Sequence, residues 1–375
     1  MGYIPDAEPL NIPLGQPPVW VVGVPATTGA LWAVILRDGS VQAFQVRAGG
    51  TVEEMPIQPE RWAVSAPPLL RWSADGLELV TAPADDASPL THAVPLPNGS
   101  LAYIATDGSL AVADGEQETR LPVNALPDAR LLVDPSGRIL LLTEPTTRYA
   151  HAIAGDELEA GQVTMVATRP SPRVVFNIVI PDDRVVEGIA PIWADLNGDG
   201  TREIIVTLSD AQNGAQVVVF DEQGHIVASG PAVGQGFRWR HQIAVAAFAP
   251  DGALSLAEVL TPHIGGVTGF YRWVGDELVI ETTLDGYTSH VINTRNLDMA
   301  AAGDFDGDGR PELLLPTQSR DALGGIRWEA EGAQVMWTLP LDGQLTTNVG
   351  AMTLLNGRIA VAVGMDTGVL RIWGP

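Results

Sequence analysis

The chain reads as an all-β protein, a β-propeller of seven four-stranded blades with eight as the alternative, and three observations carry that reading. Glycine and proline, 40 and 29 of 375 residues, punctuate it from end to end. Short apolar runs are bounded by turn dipeptides such as Asp38-Gly39, Asp107-Gly108, Asp251-Gly252 and Asn356-Gly357, the pattern of many hairpins. Related segments return every 52 to 57 residues, the sequence sign of stacked repeats.

Taken in order, the start is proline-rich (Pro5, Pro9, Pro13, Pro17, Pro18), which suits an edge strand and a leading loop. Blades are expected at about 19–57, 66–122, 129–168, 186–230, 241–283, 298–341 and 348–375. Region 58–100 is irregular and leaves the count between seven and eight. The final unit ends at Ile372-Trp373-Gly374-Pro375 after three strands. Its fourth strand is expected from 10–14, which would join the chain ends in a single domain over 1–375 and remove a sheet edge.

Two segments align without a gap, Asp195-Leu196-Asn197-Gly198-Asp199-Gly200-Thr201-Arg202-Glu203 and Asp304-Phe305-Asp306-Gly307-Asp308-Gly309-Arg310-Pro311-Glu312, 109 residues apart. A degenerate copy around Phe248 and Asp251-Gly252 lies between them, with Ala247 and Ala249 where oxygen ligands would stand. In each full copy, oxygen-bearing side chains occupy positions 1, 3, 5 and 9. A glycine makes the turn at 6, and Thr201 or Arg310 offers a carbonyl at 7. Alternating oxygens on a tight turn suit a hard cation of flexible coordination, calcium before magnesium. An EF-hand is excluded, because position 12 is Val206 in one loop and Leu315 in the other.

The segment Gly303 to Leu313 resembles the core of the FG-GAP/VCBS repeat, as in integrin α-subunit propellers and many bacterial surface proteins. The resemblance covers two blades closely and a third through the degenerate copy. It implies two structural calcium ions, in loops joining the first and second strands of their blades, opposite the usual ligand-binding face. It also implies an extracellular or cell-surface setting.

With 45 acidic residues against 21 arginines and no lysine, the net charge is −24, which argues against nucleic acid and anionic membranes as partners. Cysteine is absent, so neither disulfides nor thiol chemistry enter. No apolar run is long enough to insert in a membrane, and Met1 to Asp6 does not read as a signal peptide. A monomer is expected.

If the acidic loops mark one face, the other carries Arg238, Trp239, Arg240 and His241, then His263, Tyr287, His290, Arg295, Asp298 and Arg320. Arginine forks suit acidic groups, while Trp and Tyr suit sugar faces or aromatic partners. Arg-Trp pairs at 61–62, 71–72, 238–239, 272–273 and 327–328 favour a packing role for some of these. The chain shows no nucleophile elbow, zinc-protease helix, P-loop or dinucleotide fingerprint. The expectation is therefore a binding or adhesion module for a glycan or protein ligand. A polysaccharide lyase or hydrolase with a central site, and a scaffold without a small ligand, stand as rivals.

Overall fold

A computed structural model describes residues 3–149, 151–181 and 183–374. Apart from one 3₁₀ turn at Ile4–Asp6, its regular elements are all strands. They form consecutive antiparallel meanders, and the fold is all-β and propeller-like. The first sheet comprises Pro18–Ala26, Gly29–Leu36, Val41–Arg47 and Val52–Met55. Further four-stranded meanders start at Val94–Pro95, Leu132–Val133, Ile192–Ala194, Arg240–Ala246 and Ala301–Gly303. In the last, Gly350–Thr353, Ile359–Met365 and Val369–Trp373 are completed by Leu10–Pro13, whose Leu10 to Pro13 ladder runs antiparallel to Ile372 to Val369.

The stretch 66–122, expected as one unit, contains two separate sheets. A small one pairs Leu70–Ser73 with Gly76–Leu79, and Ile57–Gln58 adds to the latter in parallel. The other runs from Val94–Pro95 to Gln117–Pro122. The small sheet is wedged between larger ones. Ile57, Leu70, Leu77 and Leu79 pack on Leu31 and Ile35, while Val80 joins Tyr103 and Ala111.

Burial follows the layering. Glu203–Asp210 is buried throughout, and Gly29–Leu36 at every position but its first, because such second strands are covered on both faces. Last strands such as Gln117–Pro122 and Arg173–Val179 are largely exposed. The apolar clusters each join neighbouring sheets and return to the start. Phe270 packs on Ile326, Leu323 on Val361, and Ala362 with Ile372 on Val34 and Trp32 of the first sheet. In an antiparallel meander, first-to-second and second-to-third turns fall at opposite ends. Both acidic loops are first-to-second turns, so they lie away from turns such as 37–40 and 317–321.

Candidate functional site

The acidic loops share one backbone path. They join Ile192–Ala194 to Glu203–Asp210 and Ala301–Gly303 to Glu312–Pro316. Gly198 and Gly307 both have φ 78°, and Gly200 and Gly309 have 88° and 91°, a region glycine enters without Cβ strain. Their backbone hydrogen bonds correspond, except that the Asp199 N–H also reaches Asp195 at 3.1 Å. Asp195 and Asp304 accept from the N–H of Gly198 and Gly307 (2.6 and 2.7 Å), and from that of Gly200 and Gly309 (2.9 and 3.0 Å). Asn197 and Asp306 accept from Asp199 and Asp308. Those two aspartates accept from the N–H of Thr201 and Arg310. Glu203 and Glu312 turn inward to the N–H of Leu196 and Phe305, at 2.8 and 2.9 Å.

The loops part at the oxygens left over. In the second, the guanidinium of Arg327, 4% exposed, donates to Asp306 at 2.8 Å, to Asp308 at 2.7 Å and to Glu312. Oxygens of Asp304, Asp306 and Glu312 lie within 4.8 Å of one another, close enough to share a metal ion, and two of the three groups, Asp306 and Glu312, meet that guanidinium. In the first, the Asn197 amide bridges Asp199 and Glu203 at 3.1 Å each. Among the described residues no guanidinium reaches these two groups. The reason is register. Continuing the Leu313↔Ile326 ladder by one residue puts Arg327 opposite Glu312, whereas the Ile204↔Phe220 ladder puts Asp221 opposite Glu203.

The electrostatics differ accordingly. Burial, then Asp199 and Asp195, push the Glu203 carboxyl up. At Asp308 burial acts the same way, but the Arg310 N–H and Arg327 outweigh it and hold the carboxyl below its usual range. The oxygen set of Asp195, Asn197, Asp199 and Glu203, with the Thr201 carbonyl at the seventh position, fits a hard cation. The second loop already holds a positive charge, and a divalent ion there would have to displace a buried guanidinium. Arg310 points elsewhere, to Glu329 at 2.9 Å and the Trp328 carbonyl. Tyr3 and Ile4 also brace this loop. A side chain at Gly307 would run into the Tyr3 ring, and the Ile4 N–H donates to Phe305 O.

Of the residues expected on the opposite face, four converge. Trp239 stacks on His241 at 4.4 Å between ring centres, and His263 and His290 share a 2.7 Å hydrogen bond beside them. Burial holds all three imidazoles neutral, with His263 lowered to about 4, His290 to about 3 and His241 well below the ordinary histidine range. Arg295 and Asp298 sit on a loop joining two sheets. Arg295 pairs with Asp128 at 2.8 Å and with Asp156, and Asp298 with Arg130 at 2.8 Å. Arg238 is exposed. Tyr287 is buried with its ring against Gly324, and Arg320 donates to Leu345 O at 3.1 Å.

Arg240 is not displayed. It is 4% exposed and bound between strands to Glu258 and to the Tyr271 hydroxyl. Sequence reasoning also passed over a buried group beside the imidazoles, in which Glu187 accepts from Ser209 and pairs with His151. Exposed Phe237 stacks on the same His151 at 5.2 Å. No local spelling marks this group, since its members come from three separate strands and loops.

No protein-family model matches the chain, and no curated protein matches it in sequence. Solved structures do match in fold. BBS1N, crystallised in complex with ARL6DN, superposes with a TM-score of 0.53 at 9% identity, covering 100% of this chain and 97% of its own. Raptor from Chaetomium thermophilum gives 0.50 at 9% identity, with 100% of this chain matching 29% of the much longer Raptor chain. At such identity the likeness is one of fold alone.

Proposed function

We propose that this chain is a calcium-stabilised binding module of the FG-GAP/VCBS type. Seven four-stranded blades, closed by Leu10–Pro13, form the ring, with the small 57–79 sheet as a rudimentary eighth unit. The observation that carries the calcium reading is the shared frame of backbone hydrogen bonds in the two loops around different bridging groups. Calcium belongs to the first loop, held by Asp195, Asn197, Asp199, Glu203 and the Thr201 carbonyl. In the second, Arg327 supplies the positive charge. The ion's role is structural, since it removes repulsion between carboxylates far from the loops that would meet a ligand.

The opposite face supports recognition of a glycan or protein. Loops on a rigid scaffold are where binding concentrates, and Arg238 and Phe237 stand exposed there beside the buried Trp239 and imidazole cluster. A surface-displayed, extracellular setting goes with the calcium loop. The test is a screen of calcium-loaded protein against glycans and candidate protein ligands, with product analysis on each hit. Binding without turnover that weakens in Arg238→Ala supports the module. Turnover would replace it with a polysaccharide-cleaving enzyme, and silence with a scaffold.

A further inference from the structure

A cavity of about 390 Å³ opens at the end of the ring opposite the acidic loops, within the size range of small-molecule sites. Its walls are largely apolar, with Val19, Val64, Val291 and Leu345 contributing. Three arginines also line it, Arg37, Arg295 and Arg320, and no aspartate or glutamate does. In a chain of net charge −24 that is a reversal of sign. Asp128 and Asp156 neutralise Arg295 from behind. Arg37 and Arg320 have no carboxylate partner among the described residues, and Arg320 is tied only to Leu345 O and, at 3.5 Å, to Gln344.

The backbone is strained at this rim. Arg320 (φ 60°) and Asn293 (φ 64°) both occupy the left-handed region, which costs a non-glycine side chain energy that the surroundings must over-determine. Arg320 is held so by its N–H to Thr317 O and by the Leu345 N–H to its own carbonyl, at 2.8 Å each.

We infer that this cavity binds a small carboxylate with an apolar body, an aliphatic or aromatic acid whose carboxylate meets Arg37 and Arg320 while its hydrocarbon lies on the valines and leucine. A sugar acid would leave its hydroxyls against apolar walls, where unmade hydrogen bonds are costly. The inference rests on the reading that this face is the binding face.

The test uses full-length, calcium-loaded protein titrated calorimetrically with octanoate and 4-phenylbutyrate, and with their neutral amides. Both acids should bind, the amides at least about tenfold more weakly, since charge-assisted hydrogen bonds to a guanidinium are lost. Arg320→Gln should weaken the acids by a similar factor. Arg37→Gln, at an exposed turn where folding is not at stake, should do so too. Equal binding of acid and amide, or acid affinity unchanged in Arg37→Gln, would overturn the inference. So would no heat at millimolar acid, whereas the glycan and protein screen with Arg238→Ala judges the face independently.

Discussion

Two loops with nearly the same spelling solve the same electrostatic problem differently. Each folds three or four acidic groups onto a turn of two glycines, and each spends the same backbone N–H groups on them. The second has one more carboxylate, Asp306 where the first has Asn197, and Arg327 opposite Glu312 to meet it. The first has an amide in place of that carboxylate and Asp221 in place of the arginine. A metal-loop motif therefore specifies a backbone path and a set of oxygens. What neutralises the oxygens is decided on the neighbouring strand.

The largest effect should come from removing the built-in cation. Arg327→Leu leaves Glu312, fully buried, and Asp306 and Asp308 without their partner. Breaking a buried pair from one side costs about 3–5 kcal/mol. In chelator, the variant should melt far below the parent. Calcium should recover much of the loss, because the vacated oxygens are those of a cation site. Parent and variant melting together in chelator would show that the guanidinium does not carry the loop.

Next in size is the effect of calcium on the unaltered chain. One ion should bind, and at a hundredfold excess over its dissociation constant it should raise stability by about 2.7 kcal/mol. Asp199→Asn should abolish most of that gain, and Asp308→Asn should leave the stoichiometry at one. Two ions per chain in calorimetry would break the asymmetry between the loops.

How much of this was legible in the sequence follows the range of each signal. The loops were readable because their chemistry is local, with ligand positions, glycine turns and a strand on either side all within nine residues. The closing strand at 10–14 was readable from a last unit one strand short. Arg327 was visible only as half of a recurring Arg-Trp pair. Its place opposite Glu312 depends on the length of the hairpin, in which Arg327 follows Glu312 by 15 residues, whereas in the first loop's sheet Asp221 follows Glu203 by 221 − 203 = 18. That difference shifts the register from Asp221 to Arg327. Arg240 misleads for a related reason. It adjoins exposed loop residues, yet it begins a strand whose side chain turns inward to Glu258, a contact 18 residues away. Around 58–100 the strands are two to four residues long, too short for alternation to mark their number.

The smallest effect separates the loops by pH. Glu203 has its folded-state carboxyl raised, so in chelator the protonated form is favoured by the fold. Its contribution is fully present below the ordinary glutamate range and is lost as pH rises through the folded value. Bound calcium reverses the demand, because the ion needs the carboxylate and protons compete with it. The stabilisation by calcium should therefore shrink from both sides as pH falls from 7 toward 5. The imidazoles act oppositely on the whole fold. Lowered to about 4 and about 3, His263 and His290 stabilise it above 6.5, and that stability is lost as pH falls toward those values. Their effect is common to the calcium and chelator arms and cancels in the difference between melting temperatures. Glu203→Gln should flatten that difference against pH. A calcium-dependent difference that stays constant from pH 7 to 5 would remove Glu203 from the site and, with it, the contrast between the two loops.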